Sequence, residues 1–251
     1  MRPFLRPFQR PSLRRFLIPV LAGLGVASSA QAQLQSQSAD PQNGNLVEAL
    51  AACDGTFFKA LLADALRWRN ETNYLKRDGL AQFFVVNRLP PAPYAISTSE
   101  TRFEQPVGIN GLWLVSFFDA DLSKWDHFQR HDIRFMTWGF YADPPPEQTM
   151  LWLARQAPDL ALRLAKKHPR TPQRVFCTVD AWEAGPAGGR WRAVDEPCDT
   201  GLPTAKAPRR VFAVREAPVE HAGSVLACEV WGALTPDIMN ALRPDLPGAP
   251  R

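Results

Sequence analysis

Nine short segments of strand character run through the chain between residues 83 and 232, and they restrict it to folds that contain β-sheet. Each is rich in β-branched, aromatic or other apolar residues, and glycine, proline or charged residues separate it from the next. The segments are Phe83–Asn87, Tyr94–Ser97, Arg102–Val107, Leu112–Phe118, Ile133–Tyr141, Val175–Trp182, Trp191–Val194, Arg210–Arg215 and Val225–Gly232. The turn-rich sequence Glu183–Gly189 joins two of them, which predicts a hairpin. We therefore expect antiparallel sheets.

Helical patterns precede, interrupt and follow these strands. Apolar residues recur at one-and-four spacing from Phe57 to Leu66, which predicts a helix over residues 55–68. Asp143, followed by three prolines, predicts the cap of another helix, and Thr235 predicts the cap of a last helix over Asp237–Leu242. Helices combined with antiparallel strands predict the α+β class, with antiparallel sheets packed on helices.

Two stretches of the chain have similar sequences. Phe135-Met-Thr-Trp-Gly-Phe140 and Ala227-Cys-Glu-Val-Trp-Gly-Ala233 both read as a strand that contains Trp-Gly and leads into a proline-marked helix start. Either these are two related units, each an antiparallel sheet closed by a helix, or the likeness is a coincidence. In the first case one helix-plus-sheet unit spans residues 45–170 and a second spans residues 171–251.

Residues 1–32 have the three parts of an export signal. Five arginines and no acid precede or border the apolar run Phe16–Val26, and small residues follow up to Ala30-Gln-Ala32. The run is too short to span a membrane, for which roughly 20 apolar residues are needed. Because Arg14-Arg15 also fits a twin-arginine signal, the general and the twin-arginine export routes both stay open. We expect a flexible polar linker over 33–44 and a periplasmic or secreted protein.

Removal of the signal changes the charge of the protein. The whole chain has 29 basic and 25 acidic residues, and without the five arginines of the signal it has 24 basic and 25 acidic residues, a net charge of −1. A strongly basic balance would point to a nucleic-acid partner, and the chain without its signal does not have one. We therefore expect no nucleic-acid partner, and no transmembrane segment after the signal.

All four cysteines follow the signal: Cys53, Cys177, Cys198 and Cys228. An even number of cysteines in an oxidising compartment favours disulfides, here two. Cys177 and Cys198 flank the predicted hairpin, so we favour pairing them and pairing Cys53 with Cys228. A metal or redox site is the alternative, but the chain has no C-x-x-C spacing.

Three segments resemble small exported proteins of Gram-negative bacteria to which no activity is attached: GLWLVSFFDAD (111–121), RFMTWGFYADPPP (134–146) and SVLACEVWGALTPDIMNALRPDL (224–246). The order helix, antiparallel sheet, helix, antiparallel sheet also resembles the secreted beta-lactamase-inhibitor protein, a tandem of two such units. These resemblances imply export and a tandem layout. They imply no site residues, because a layout does not fix a function.

The most polar aromatic-rich stretch is Asp119–Asp132. His127 and His131 are four residues apart, so on a helix they would lie on one face and could share a metal with neighbouring acids. The stretch lies between two predicted strands and has no H-E-x-x-H, which favours a solvated hairpin loop. The two histidines are therefore weak metal candidates, with a pH-responsive surface as a further alternative. We expect no cofactor.

No catalytic motif stands out in the sequence. The chain lacks the nucleophile elbow G-x-S-x-G, the dinucleotide loop G-x-G-x-x-G and the Walker A loop. A Ser/His/Asp triad built from distant residues stays open. Asp180 and Glu183 come nearest to a carboxylate pair, but their odd spacing on a strand points them to opposite faces unless the turn redirects Glu183. A non-enzymatic role is favoured, and no catalytic residue is assigned.

Tryptophans on the predicted strands are the candidates for a binding surface: Trp113, Trp138, Trp182, Trp191 and Trp231. A single tryptophan is buried by default, whereas several on an uncovered sheet face form a surface for a partner. We predict that the protein binds a protein or cell-envelope partner through an aromatic sheet face. The alternative is an envelope enzyme or metal-binding protein centred on Asp119–Asp132, which requires both histidines and a carboxylate within reach of one metal.

Overall fold

Antiparallel pairing joins neighbouring strands throughout the described part of the chain. The computed structural model describes residues 43–64, 66–68, 75–78, 81–84, 99–166, 177–185, 190–195, 202–204, 206–218, 221 and 223–244. β1 (Leu75–Asp78) and β2 (Ala81–Phe84) form a two-stranded sheet. The main sheet contains β3 (Ser99–Ile109), β4 (Leu112–Asp121), β5 (Arg134–Ala142), β6 (Cys177–Ala184), β7 (Trp191–Val194), β8 (Arg209–Glu216) and β9 (Ser224–Gly232), in the order β3-β4-β5-β9-β8-β6-β7.

The helices of the described residues are α1 (Asn43–Ala51), α2 (Thr56–Ala63), α3 (Asp126–His131), α4 (Pro146–Gln156), α5 (Pro158–Lys166) and α6 (Pro236–Leu242). Together with the seven-stranded antiparallel sheet they confirm the predicted α+β class. None of the described helices is long and apolar enough to span a membrane.

The strands agree with the sequence pattern. Seven of the nine predicted segments correspond to β3–β9, and β6 pairs with β7 as the predicted hairpin. The segment Phe83–Asn87 is described only at its start, and Tyr94–Ser97 lies outside the described residues. A second hairpin joins β3 to β4 through Asn110-Gly111, whose φ angles of 47° and 88° are those of a two-residue turn with left-handed residues.

Two helices, α2 and α4, differ from the sequence prediction at their ends. α2 ends at Ala63 rather than at residue 68, and Leu66 beyond it is 85% exposed. α4 begins at Pro146 without a side-chain cap, because Pro145 adopts an extended conformation that keeps Asp143 away from the helix start. The prediction for α6 is confirmed: the Thr235 hydroxyl accepts a hydrogen bond from the Ile238 amide.

The main sheet has two faces with different coverings. In β5, Met136, Trp138 and Phe140 point to the face on which α1, α2, α4, α5 and α6 contribute to the main core. We call this the helix face. Phe135 points to the opposite face, where α3 packs through the fully buried Phe128. We call this the groove face. Eight of the nine residues of β5 are buried, as expected for a strand near the middle of a sheet.

The two stretches with similar sequences pair with each other at the centre of the sheet. β5 and β9 run antiparallel, with Trp138 opposite Cys228 and Phe135 opposite Trp231. Trp138 therefore points to the helix face and Trp231 to the groove face. The main sheet is one continuous layer that contains strands from before residue 170 and strands from after it. The division into units 45–170 and 171–251 stays a prediction.

Two buried cross-links tie helical segments to the sheet. The predicted disulfide between Cys53, which follows α1, and Cys228 of β9 is present, with the Cα atoms 5.4 Å apart. Arg243, which follows α6, donates hydrogen bonds of 2.9 and 2.8 Å to the two carboxylate oxygens of Asp119 at the end of β4. Cys177 is also disulfide-bonded, and Cys198 lies outside the described residues.

Candidate functional site

A cavity of about 340 Å³ opens on the groove face, and we call it the aromatic groove. Its apolar walls are the rings of Phe118, Trp125, Phe135 and Tyr141 and the side chain of Leu202. A pocket that combines apolar walls with a few polar groups is the usual form of a binding site. Its volume is at the small end of the range of about 300–1,000 Å³ for ligand pockets.

The groove exists because a row of small residues crosses the sheet beside large ones. Phe118 of β4 lies opposite Gly139 of β5, Gly139 lies opposite Ala227 of β9, and Ala227 lies opposite Ala213 of β8. A Cβ atom on Gly139 would lie 2.0 Å from the Leu226 carbonyl oxygen, so this position requires glycine. Ala227 lines the groove, and the small residues at these positions leave space between the aromatic side chains that wall it.

A stack of rings holds one end of the groove in place. Phe128 of α3 stacks on Phe135 at 4.9 Å between ring centroids, and Phe135 stacks on Trp231 at 6.2 Å. Trp125, the residue before α3, stacks on the other side of Phe128 at 6.2 Å. The helix thus carries Trp125 to the rim of the groove, where the side chain is only partly buried.

Polar side chains lie on the floor at the β8–β9 side. Arg215 donates hydrogen bonds of 2.5 and 2.9 Å to the two carboxylate oxygens of Glu229, and both side chains line the groove. Thr137 lies directly opposite Glu229 in the register of β5 and β9 and lines the groove as well. The groove therefore offers an apolar recess with a donor and an acceptor at one side.

His221 packs on Tyr141, whose ring forms one wall of the groove. Its imidazole is parallel to the Tyr141 ring at 3.9 Å, and its Nε2 lies 3.3 Å from Oε2 of Glu100 in β3. Gly223, two residues later, has a φ of 81°, and a Cβ there would lie 2.2 Å from the Ala142 carbonyl oxygen. The chain can therefore return to β9 at this point only with glycine.

Replacing His221 with alanine is expected to loosen this wall. The change removes the stacking on Tyr141 and the polar contact to Glu100, so we expect the free energy of unfolding to fall by about 1–2 kcal/mol. Urea unfolding measures it. His131→Ala is the control, because the His131 ring contacts only its own helix and His127 among the contacts resolved for it, and a change below about 0.5 kcal/mol is expected. Equal losses of unfolding free energy in both variants would contradict the role of His221 in supporting Tyr141.

A serine, a histidine and a carboxylate come close together at this wall without forming a triad. Ser116 lies opposite Tyr141, on which His221 stacks. The Ser116 side chain is fully buried, and its hydroxyl makes no hydrogen bond with a described residue. The His221 Nε2 is turned toward Glu100 instead. A nucleophilic serine needs a hydrogen bond to its base and access for a substrate, so this cluster is structural.

The stretch Asp119–Asp132 is more ordered than the predicted loop. Residues 126–131 form α3, which places the rings of His127 and His131 at 4.6 Å between centroids. Nδ1 of His131 lies 2.7 Å from the His127 carbonyl oxygen, and Nε2 of His127 lies 3.1 Å from the Pro203 carbonyl oxygen. No group of three histidine, cysteine or acidic side chains among the described residues could hold a metal ion.

The five candidate tryptophans do not share one face. Trp113 is 50% exposed, whereas Trp138 is fully buried in the main core and Trp231 is buried in the stack on the groove face. Trp182 and Trp191 pack against the main core on the helix face. The Arg210 guanidinium lies over both rings at 5.1 and 4.8 Å, so these two tryptophans bind an arginine of the same chain.

Asp180 and Glu183 lie on opposite faces of β6, as their spacing predicts. Asp180 is buried on the helix face and accepts a hydrogen bond of 2.6 Å from Arg163. Glu183 accepts hydrogen bonds from Arg192 and Arg209, and these bonds hold the pKa of its carboxyl below the ordinary value. A glycosidase acid needs a raised pKa and a facing carboxylate, so the pair does not serve that chemistry.

A second and larger depression of about 570 Å³ lies between α3 and the start of α6. Its polar wall residues include Gln129, Asp132, Arg134 and Thr235, all of which are exposed. Exposed polar groups are satisfied by water and gain little from a ligand. The aromatic groove is therefore the better candidate site.

No family model, no curated protein and no solved structure matches this chain. None of the five tryptophans predicted to form a binding face lines the groove. The apolar residues that line it and were not predicted are Phe118, Trp125, Phe135, Tyr141 and Leu202. The signal that could have found Phe135 and Tyr141 is their even spacing from Gly139, which puts these three residues on one face of β5.

Proposed function

We propose that this protein is an exported, non-enzymatic binding protein whose aromatic groove takes up an apolar group of a protein or cell-envelope partner. The observation that carries the proposal is the aromatic-walled cavity on the sheet face opposite most of the helices. Leu202 at its edge is 48% exposed, so the groove presents apolar surface to solvent. Exposed apolar surface in a concave site supports a binding role.

Export is supported by the signal-like leader and by the cysteines. The buried disulfide between Cys53 and Cys228 requires oxidation during folding, which is available outside the cytoplasm. We therefore place the mature protein, from about residue 33, in the periplasm or the medium.

The alternative, an enzyme or metal-binding protein centred on Asp119–Asp132, has weaker support. Asp119 binds Arg243 with both carboxylate oxygens, so it is engaged in the core. The His127 and His131 rings both contact backbone carbonyl oxygens. These contacts favour a structural role for the stretch, with α3 positioning Trp125.

Replacing Trp125 with alanine is expected to weaken the binding of an apolar fluorescent dye such as Nile red by about tenfold, because aromatic rim residues are typical binding hot spots. Trp113→Ala is the matched control, since Trp113 is equally large, half exposed and not part of the groove. Dye titrations of the mature protein measure both affinities. Equal affinities in the wild type and both variants, or no saturable binding by the wild type, would contradict the proposed function.

A further inference from the structure

We infer that the occupant of the aromatic groove is a polypeptide segment, with one apolar side chain in the recess and its main-chain amide bound by Arg215, Glu229 and Thr137. This inference rests on the proposed function and names the chemistry of the partner. It follows from the polar side of the groove rather than from its apolar walls.

The ion pair on the floor retains hydrogen-bonding capacity. A guanidinium has five N–H donors, and the two bonds to Glu229 use two of them. Each Glu229 oxygen accepts one of these bonds and keeps a second lone pair. The Arg215 side chain is 35% exposed and that of Glu229 is 15% exposed, so water reaches both. The Thr137 hydroxyl adds a group that can donate or accept.

An occupant that covers this floor must replace the water. A hydrocarbon chain has no group that could do so, and it would leave donors and acceptors unpaired in a drier site. A carboxylate would be repelled by Glu229, and an ammonium group would compete with Arg215 for the same oxygens. A neutral amide has one carbonyl acceptor for Arg215 and one N–H donor for Glu229, so it matches the pair without disrupting it.

The rings of the groove do not form a cage for a cation. Such a cage presents ring faces to the cation. Phe135 stacks on Phe128 and on Trp231, and Tyr141 stacks on His221. These contacts cover ring faces with other rings of the same chain and leave fewer open faces for a cation.

The volume of the cavity also favours a single residue. About 340 Å³ is enough for one large apolar side chain with its peptide group and too little for a long acyl chain to lie fully enclosed. A partner protein would then insert one residue, and its remaining contacts would be made outside the groove.

The test displaces Nile red from the mature protein with small probes. N-acetyl-leucine N-methylamide is expected to compete at least tenfold more strongly than octanoate, which carries a longer apolar chain with a carboxylate and no amide. In the double variant Arg215→Met and Glu229→Met, the dye should still bind and the advantage of the amide should disappear. Arg192→Met, which disturbs an ion pair with Glu183 away from the groove, should leave the advantage unchanged.

The outcomes separate the two proposals. If octanoate competes as well as the amide, or if the double variant keeps the preference, the polypeptide inference is overturned while the groove remains a binding site. If Nile red does not bind the wild type, the proposed function itself is contradicted, and the polypeptide inference falls with it. Should the double variant not fold, Thr137→Val replaces it, with an expected three- to fivefold loss of amide affinity relative to that of octanoate; an unchanged ratio of the two affinities overturns the inference.

Discussion

Replacing Arg243 with methionine is expected to lower the free energy of unfolding by about 3–5 kcal/mol, the usual cost of removing one partner of a buried ion pair. The Arg243 and Asp119 side chains are only 1% and 6% exposed. The arginine also lies over the Trp138 ring at 4.9 Å and the Phe58 ring at 5.6 Å. Its loss leaves the Asp119 carboxylate buried without its bidentate partner. Urea unfolding at neutral pH measures the effect.

Two control variants separate the buried charge from simple truncation. The double variant Asp119→Leu and Arg243→Met removes both charges and is expected to recover most of the stability, because apolar replacements of buried ion pairs are often neutral. Arg130→Met breaks an ion pair with Asp126 whose partners are 77% and 86% exposed, and we expect a change below about 0.5 kcal/mol. A similar loss in all three variants would show that the ion pair is not what holds the segment after α6.

Replacing Cys53 and Cys228 with alanine together is expected to destabilise the protein by about 2–5 kcal/mol. The disulfide links residues 175 positions apart in the chain, so it restricts the unfolded state over most of the described protein. It also joins the end of α1 to β9 inside the main core, where both cysteines are fully buried. Thermal or urea unfolding of the variant measures the loss.

The variant is preferable to a reducing agent, because Cys177 is also disulfide-bonded and a reductant would act on both bonds. Cys53→Ala alone provides a check: it should lose about as much stability as the double variant, since either change abolishes the same bond. A double variant as stable as the wild type would contradict the view that this disulfide is a main stabilising element.

Much of the fold could be predicted from local patterns. Strand segments such as Leu112–Phe118 and Val225–Gly232 are short apolar runs bounded by glycine or charged residues, and they overlap β4 and β9. The Thr235-Pro236 start of α6 follows from the chemistry of helix caps. The pairing of Cys53 with Cys228 followed from compartment and from the placement of Cys177 and Cys198 around a hairpin.

Other features depend on contacts that no local pattern contains. α3 has one buried residue, Phe128, and therefore no apolar periodicity to mark it as a helix. The pairing of β5 with β9 joins segments about 90 residues apart, and only that register places Gly139 beside Ala227, which lines the groove. The two glycines of the recurring Trp-Gly sequence serve different purposes, although the sequence suggests a shared one. Gly139 permits a close approach of strands, whereas Gly232 is needed for a φ of 120°.

Photo-crosslinking in cells identifies what occupies the aromatic groove where the protein works. A photoreactive phenylalanine analogue would replace Leu202, which is 48% exposed at the groove, or Leu162 of α5, which is 59% exposed and does not line it. Our account predicts a discrete adduct with another polypeptide from position 202 and none from position 162. Adducts from position 162 alone, or none from position 202, would contradict it.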